Sequence, residues 1–135
     1  MAYYTTMTSA GGEVAYSGIG AFGDSVARTS IATLVYALAR RRDLPQYKAT
    51  LGNLTGNLEQ TSMSYLEYAR YYQAQALFQG DVEAWEKWNK LLIRQLKQAQ
   101  NPDGSFRGQY GPAFSTSMSL LALALNYKFL PIYER

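Results

Sequence analysis

The sequence of 135 residues contains no cysteine and no histidine. The first absence excludes disulfides and thiolate metal ligands, and the second excludes imidazole ligands. Together they rule out Ser-His and Cys-His nucleophile pairs. No remaining side chain has an unperturbed pKa near neutrality, so acid–base work would fall to a shifted carboxylate, lysine or tyrosine. Charge is sparse: 13 Lys and Arg against 10 Asp and Glu give a net charge of only +3. That is no strong footprint for nucleic acid. The aspartates, Asp24, Asp43, Asp81 and Asp103, stand alone in the sequence. No apolar run is long and unbroken enough to read as a transmembrane segment. Met1–Thr6 lacks the basic start and apolar run of a secretory leader. Compartment stays open, and no catalytic, cofactor-binding or metal-binding residue emerges from the composition.

What is present is helical pattern, with 14% aromatic residues dominated by 12 tyrosines. The clearest helix runs from Asp81 to Ala99. Trp85, Trp88, Leu92, Leu96 and Ala99 recur at three- and four-residue spacing on one stripe. Glu83, Glu86, Lys87, Lys90, Arg94 and Lys97 lie opposite, with Glu83–Lys87 and Glu86–Lys90 as i,i+4 pairs. Asp81 is placed to cap this helix. Asn101-Pro102-Asp103-Gly104 then forms a turn, since proline presets φ, aspartate bonds back to the backbone and glycine accepts φ > 0. Gly111-Pro112 starts a further helix. Its residues 114–127 are nearly all small or apolar, which predicts burial on most sides, and Leu130-Pro131 ends it.

Upstream, residues 1–23 are rich in Gly, Ser, Thr and Tyr and read as an irregular lead-in, with Glu13–Tyr16 briefly extended. Residues 24–135 read as one helical-repeat domain. Asp24 is expected to cap a small-sided helix reaching about Arg41, with Ala27, Ile31, Leu34, Val35 and Leu38 as its apolar face. Leu44-Pro45 restarts the chain, and Tyr47, Leu51, Leu54 and Leu58 form the next stripe. Gly52 and Gly56 suggest a face where another backbone approaches. A third buried-type helix begins between Thr61 and Ser64, where Ser64 and Glu67 fit a capping box and Ser62 is an equal candidate for the cap. Tyr65, Tyr68, Ala69, Tyr72, Ala76 and Leu77 line it, and Gly80 stops it.

The order is therefore inner, outer, inner, outer, turn, inner. An internal repeat supports it. Arg28-Thr29-Ser30-Ile31 aligns with Ser115-Thr116-Ser117-Met118, and in the same register Leu34 meets Leu121 and Leu38 meets Leu125. Leu44-Pro45 meets Leu130-Pro131 with a one-residue slip.

Three motifs read as structural. Gly18-Ile19-Gly20-Ala21-Phe22-Gly23 has a dinucleotide-loop spacing but lacks the flanking parallel strands that site needs, so it reads as a flexible loop. Arg40-Arg41-Arg42 suits the negative end of a helix dipole. Trp85 and Trp88 read as packing residues. The tyrosines and Phe114 carry two readings: Tyr65, Tyr68, Tyr72 and Phe114 could wall a cavity favourable to apolar or cationic groups, or pack between helices.

Gln100-Asn101-Pro102-Asp103-Gly104-Ser105-Phe106, followed by Phe114-Ser115-Thr116-Ser117-Met118 and residues 127–133, resembles the prenyltransferase and squalene-cyclase type repeat. Residues 71–77 and Trp85–Asn89 look like the helical pair that precedes such a turn. The resemblance covers roughly residues 11–135. It implies an all-α fold in which antiparallel helical hairpins form part of an α/α toroid, with about five main helices. It also implies structural roles for Gln100 and Phe106 in tying successive helical pairs together, with Asp103 and Gly104 shaping the joint. Phe106 stands where such repeats often carry tryptophan. The family's chemistry does not carry over. The cyclases use an Asp-rich motif and the protein prenyltransferases a zinc site of Asp, Cys and His, and neither set occurs here.

The expectation is thus a non-catalytic helical-repeat scaffold or interaction domain without cofactor, resembling the C-terminal part of a longer toroid protein. Its partners would be a second copy or a missing upstream segment, since apolar inner helices need cover. The alternatives are part of an isoprenoid-processing or apolar-ligand-binding protein whose acid residues lie elsewhere and, behind it, a carbohydrate-processing toroid.

Overall fold

A computed structural model describes residues 2–18, 25–59 and 65–127. Among these residues the fold is all-helical: α1 Ala2–Thr6, α2 Val26–Leu38, α3 Pro45–Gly56, α4 Leu66–Gly80, α5 Val82–Ala99 and α6 Pro112–Ala124. A 3-10 turn, Leu125–Tyr127, continues α6. No described helix is long and apolar enough to cross a membrane.

The helices alternate between two layers. α4 packs against both α2 and α6, α3 lies against α2 and α4, and α5 lies against α4 and α6. This is the inner–outer alternation read from the sequence. The main core joins Val26 and Leu34 of α2, Leu54 of α3, Ala69, Ala74, Ala76, Leu77 and Phe78 of α4, Trp88, Leu92 and Leu96 of α5, and Ala122 of α6. Leu54, Leu77, Leu92 and Leu125 are almost wholly enclosed, and each contributes about 1.5–3 kcal/mol of transfer free energy.

Local chemistry explains most of the boundaries. Asp81 sits in an extended conformation between α4 and α5, and its carboxylate accepts from the Ala84 N–H at 3.0 Å, the cap expected for it. Pro45 opens α3 and Pro112 opens α6, each at the first helical position. α2 is capped by Ser25, whose hydroxyl accepts from the Arg28 N–H. Asp24, the expected cap, lies outside the described residues, as does most of the glycine loop at 18–23. At its other end α2 stops at Leu38, short of Arg41. The Arg40 N–H donates to the Ala37 carbonyl and the Arg41 N–H to the Tyr36 carbonyl, with Arg40 at φ 56°. That is a Schellman turn with arginine where glycine is usual. Arg41 then pairs with Asp43 at 3.0 Å.

Several expectations fail in instructive ways. The lead-in contains a helical turn, α1, and a bridge between Thr8 and Val14. No foreign backbone approaches Gly52 or Gly56, since a side chain at either would meet open space. The tight glycine is Gly12 at φ 82°, whose missing side chain leaves room for the Ala49 carbonyl of α3. α4 starts behind Tyr65, which adopts φ 60° and offers no side-chain cap. Ser62 and Ser64 lie outside the described residues, and Glu67 does not close a capping box. Its carboxylate accepts from the Ser115 hydroxyl of α6 at 3.0 Å, because α6 packs directly over that turn of α4.

The largest correction concerns which faces are inside. α2 buries Thr29, Ser30, Ala32 and Thr33, whereas Leu38 of its expected apolar face is exposed and Ala27, Ile31 and Val35 are only half-buried. α6, expected to be enclosed on most sides, buries Ser115, Ser119 and Ala122 and exposes Leu120 and Leu121. Small side chains let inner helices approach closely, and a buried hydroxyl can be satisfied by its own helix. The Thr33 hydroxyl donates to the Thr29 carbonyl at 2.8 Å and the Thr50 hydroxyl to the Tyr47 carbonyl at 3.0 Å. Burying a satisfied hydroxyl costs little, so packing distance rather than hydrophobicity selects the buried face.

Candidate functional site

The turn joining α5 to α6 is a closed hydrogen-bond unit. The Gly104 N–H donates to the Asn101 carbonyl and the Asn101 N–H to the Ser105 carbonyl, both at 2.9 Å. One oxygen of Asp103 accepts from the Ser105 N–H at 3.0 Å and from its hydroxyl at 2.7 Å. The Ser105 hydroxyl beside Asp103 holds its carboxyl below the usual carboxylate range. Gly104 takes φ 84°, as the turn chemistry requires. The Gln100 amide donates to the Gly104 carbonyl at 3.0 Å, so it braces its own turn. Phe106 is buried in the main core, and its N–H donates to the Thr116 hydroxyl at 3.0 Å, which fixes the turn to α6.

The aromatic residues proposed as a cavity wall fall into two groups. Tyr65 and Phe114 both meet Tyr110, the first stacked at 6.0 Å and 10° and the second edge-on at 5.3 Å. Tyr68 meets Tyr72 edge-on at 4.8 Å, and Tyr71 meets Tyr72 at 4.9 Å. Tyr65, Tyr68 and Tyr110 are exposed, so these clusters lie at the surface rim. The Tyr68 hydroxyl, with burial behind it, pushes the Tyr72 phenol up to about 12. Burial also raises Tyr36 and Tyr47, and desolvation beside Tyr65 raises Tyr110. Each shift moves a phenol away from neutrality, which is opposite to what a tyrosinate base requires.

Two polar contacts had no sequence signal beyond the residue types. Asn89 of α5 and Asn126 exchange amide hydrogen bonds of 2.8 and 3.3 Å, tying the end of α6 to α5. Between α4 and α5, Arg70 donates to Gln95 at 2.8 Å beside a cleft with space for about one water molecule. The Gln73 amide nitrogen in that cleft has no protein partner, and burial lowers the Arg70 pKa. Among the described residues, no three Asp or Glu side chains are grouped to hold a metal ion.

The other concave surface is apolar. A groove beside α6 is lined by Ile93, Leu120, Leu121, Leu123, Ala124, Asn126 and Tyr127. Leu120 and Tyr127 stand 57% and 69% exposed beside it. The internal repeat gives this face its meaning. On α2, Val26, Ser30, Thr33, Leu34 and Ala37 are buried where that helix meets α3 and α4. Their counterparts on α6 are Ala113, Ser117, Leu120 and Leu121, all exposed, and the half-exposed Ala124. These positions share one face of a helix. The converse also holds. Ser115, Ser119, Ala122 and Leu125 of α6 are buried, and they correspond to Arg28, Ala32, Val35 and Leu38. That side of α2 is covered by residues 2–18: Arg28 donates to the Val14 carbonyl at 2.7 Å, and Ala32 packs with Val14, Tyr36 and Tyr4.

Compared with known protein families, curated proteins and solved structures, the chain finds no match.

Proposed function

We propose that this chain is a non-catalytic helical-repeat scaffold of the prenyltransferase and squalene-cyclase repeat type, whose α6 face is a protein-docking surface. One observation carries the reading: equivalent faces of the two repeat-related helices are buried on α2 and open on α6. A helix that leaves Leu120, Leu121 and Tyr127 in water, rimmed by the charged face of α5, has the make-up of an interaction surface. The turn Gln100–Phe106 is then the rigid joint that holds α6 against α4 and α5. The resemblance to a toroid supplies the expectation of further hairpins or copies beside α6.

The test uses the purified chain. Incubation with an isoprenoid diphosphate or a linear polyprene should yield no product. Leu120→Glu combined with Leu121→Glu should keep full helicity and a thermal midpoint within a few degrees, yet lose binding of a hydrophobic surface dye. Turnover would overturn the reading in favour of isoprenoid chemistry. Unfolding of the double variant would show α6 to be core rather than a docking face.

A further inference from the structure

Resting on that docking face, we infer that its occupant is a second copy of this chain, bound α6 against α6 about a two-fold axis.

The two ends of the helical array dictate the mode. A head-to-tail stack would place α6 of one copy on the outer side of α2 of the next. That side of α2 is already taken by residues 2–18 of its own chain. Tyr4 packs edge-on to Tyr36, the Thr8 and Tyr36 hydroxyls lie 3.1 Å apart, and Arg28 reaches the Val14 carbonyl. The Thr29 hydroxyl donates to the Gly12 carbonyl, and Gly12 is wedged against Ala49 of α3. Removing this cover would expose Val14, Ala15 and Met7, all buried. α4, the helix that covers the equivalent face of α2, is held on both sides by α2 and α6 and is not free to serve another copy. The open face of α6 is left to meet its own equivalent.

That face suits self-pairing. Residues 108–127 contain no charged side chain, so a two-fold brings no like charges together across the helix pair. The face also presents both halves of a contact. Leu120 and Tyr127 project beside the groove formed with Ile93, Leu123 and Ala124, so each copy offers knobs and a groove to the other. The Asn89–Asn126 amide pair fixes the end of α6 to α5, which keeps the groove preformed. An isologous contact closes on itself at two copies, whereas a head-to-tail contact grows into longer assemblies.

Sedimentation velocity and light scattering over roughly 1 µM to 1 mM decide the matter. The expected result is a monomer–dimer equilibrium with no larger species. Leu120→Glu should weaken it by about tenfold or more, and Leu38→Glu, an exposed leucine on α2, should leave it unchanged. A chain that stays monomeric throughout overturns the inference. So does growth beyond the dimer, or equal sensitivity to Leu38→Glu. A monomer with no turnover and intact dye binding at α6 would leave the scaffold reading standing and remove only the second copy. Turnover would remove the scaffold reading whatever the oligomeric state.

Discussion

The two ends of the inner helical layer start from similar sequence and finish differently. At one end α2 is closed off by residues 2–18. At the other end α6 faces outward with its leucines uncovered. Leu34 is 7% exposed and its counterpart Leu121 is 40% exposed, whereas Leu38 is 48% exposed and its counterpart Leu125 only 1%. In a stacked array each helix has a neighbour on either side, and the first and last helices lose opposite ones. Repeat-equivalent residues at the two ends therefore trade places between core and surface. The same leucine in the same repeat register is structural at one end and available for binding at the other.

The sharpest way to break this comparison is to truncate the four leucines. Leu125→Ala and Leu34→Ala should each cost about 3 kcal/mol in denaturant unfolding. Leu121→Ala and Leu38→Ala should each stay within about 0.5 kcal/mol. Equal costs across either pair would dissolve the distinction between the ends. Next in size is the closure at the α2 end. Gly12→Ala pairs a positive φ with a clash against the α3 backbone, and it should destabilise by about 2–3 kcal/mol while leaving any α6-dependent association intact. Tyr36→Phe removes one side of the Thr8 contact and should cost about 1 kcal/mol in the same measurement. On α3, outside the comparison, Gly52→Ala should stabilise by about 0.5–1 kcal/mol, because a methyl group there meets only solvent.

The smallest effect is at the turn supporting the open end. Asp103 has a folded-state pKa below its ordinary value. Its contribution is therefore present above the unfolded pKa of about 4 and fades as pH falls through the folded value. The wild-type chain should lose slightly more stability than Asp103→Asn on acidification below about pH 4, read as a difference in unfolding midpoints. Parallel pH profiles would mean that the Ser105 bonds do not favour the charged form.

Much of the fold is legible in the sequence because it rests on short-range chemistry. Asp81 caps α5, Pro45 and Pro112 open α3 and α6, and Asn101–Gly104 turns as its residue types require. The stripe of α5 holds at Trp88, Leu92 and Leu96 because a strongly amphipathic helix offers only one face to a core. The inner helices were less legible. α2, α4 and α6 carry small, apolar and hydroxyl residues on several sides, so periodicity does not name their buried face. The tyrosines mislead for a related reason: placed near the start of α4, Tyr65 and Tyr68 reach the rim rather than the interior.

By itself, then, the sequence determined the helical class, the number of main helices, their caps and turns, and the removal of thiol and imidazole chemistry. Those features depend on residues within a few positions of one another. Only the tertiary structure decided that α2 and α6 bury their serines and threonines, that residues 2–18 close one end, and that Leu120, Leu121 and Tyr127 remain in water. Those outcomes depend on which neighbour stands on each side of a helix. A repeat written twice in the chain specifies the same helix twice, and its position in the array determines which face that helix keeps free.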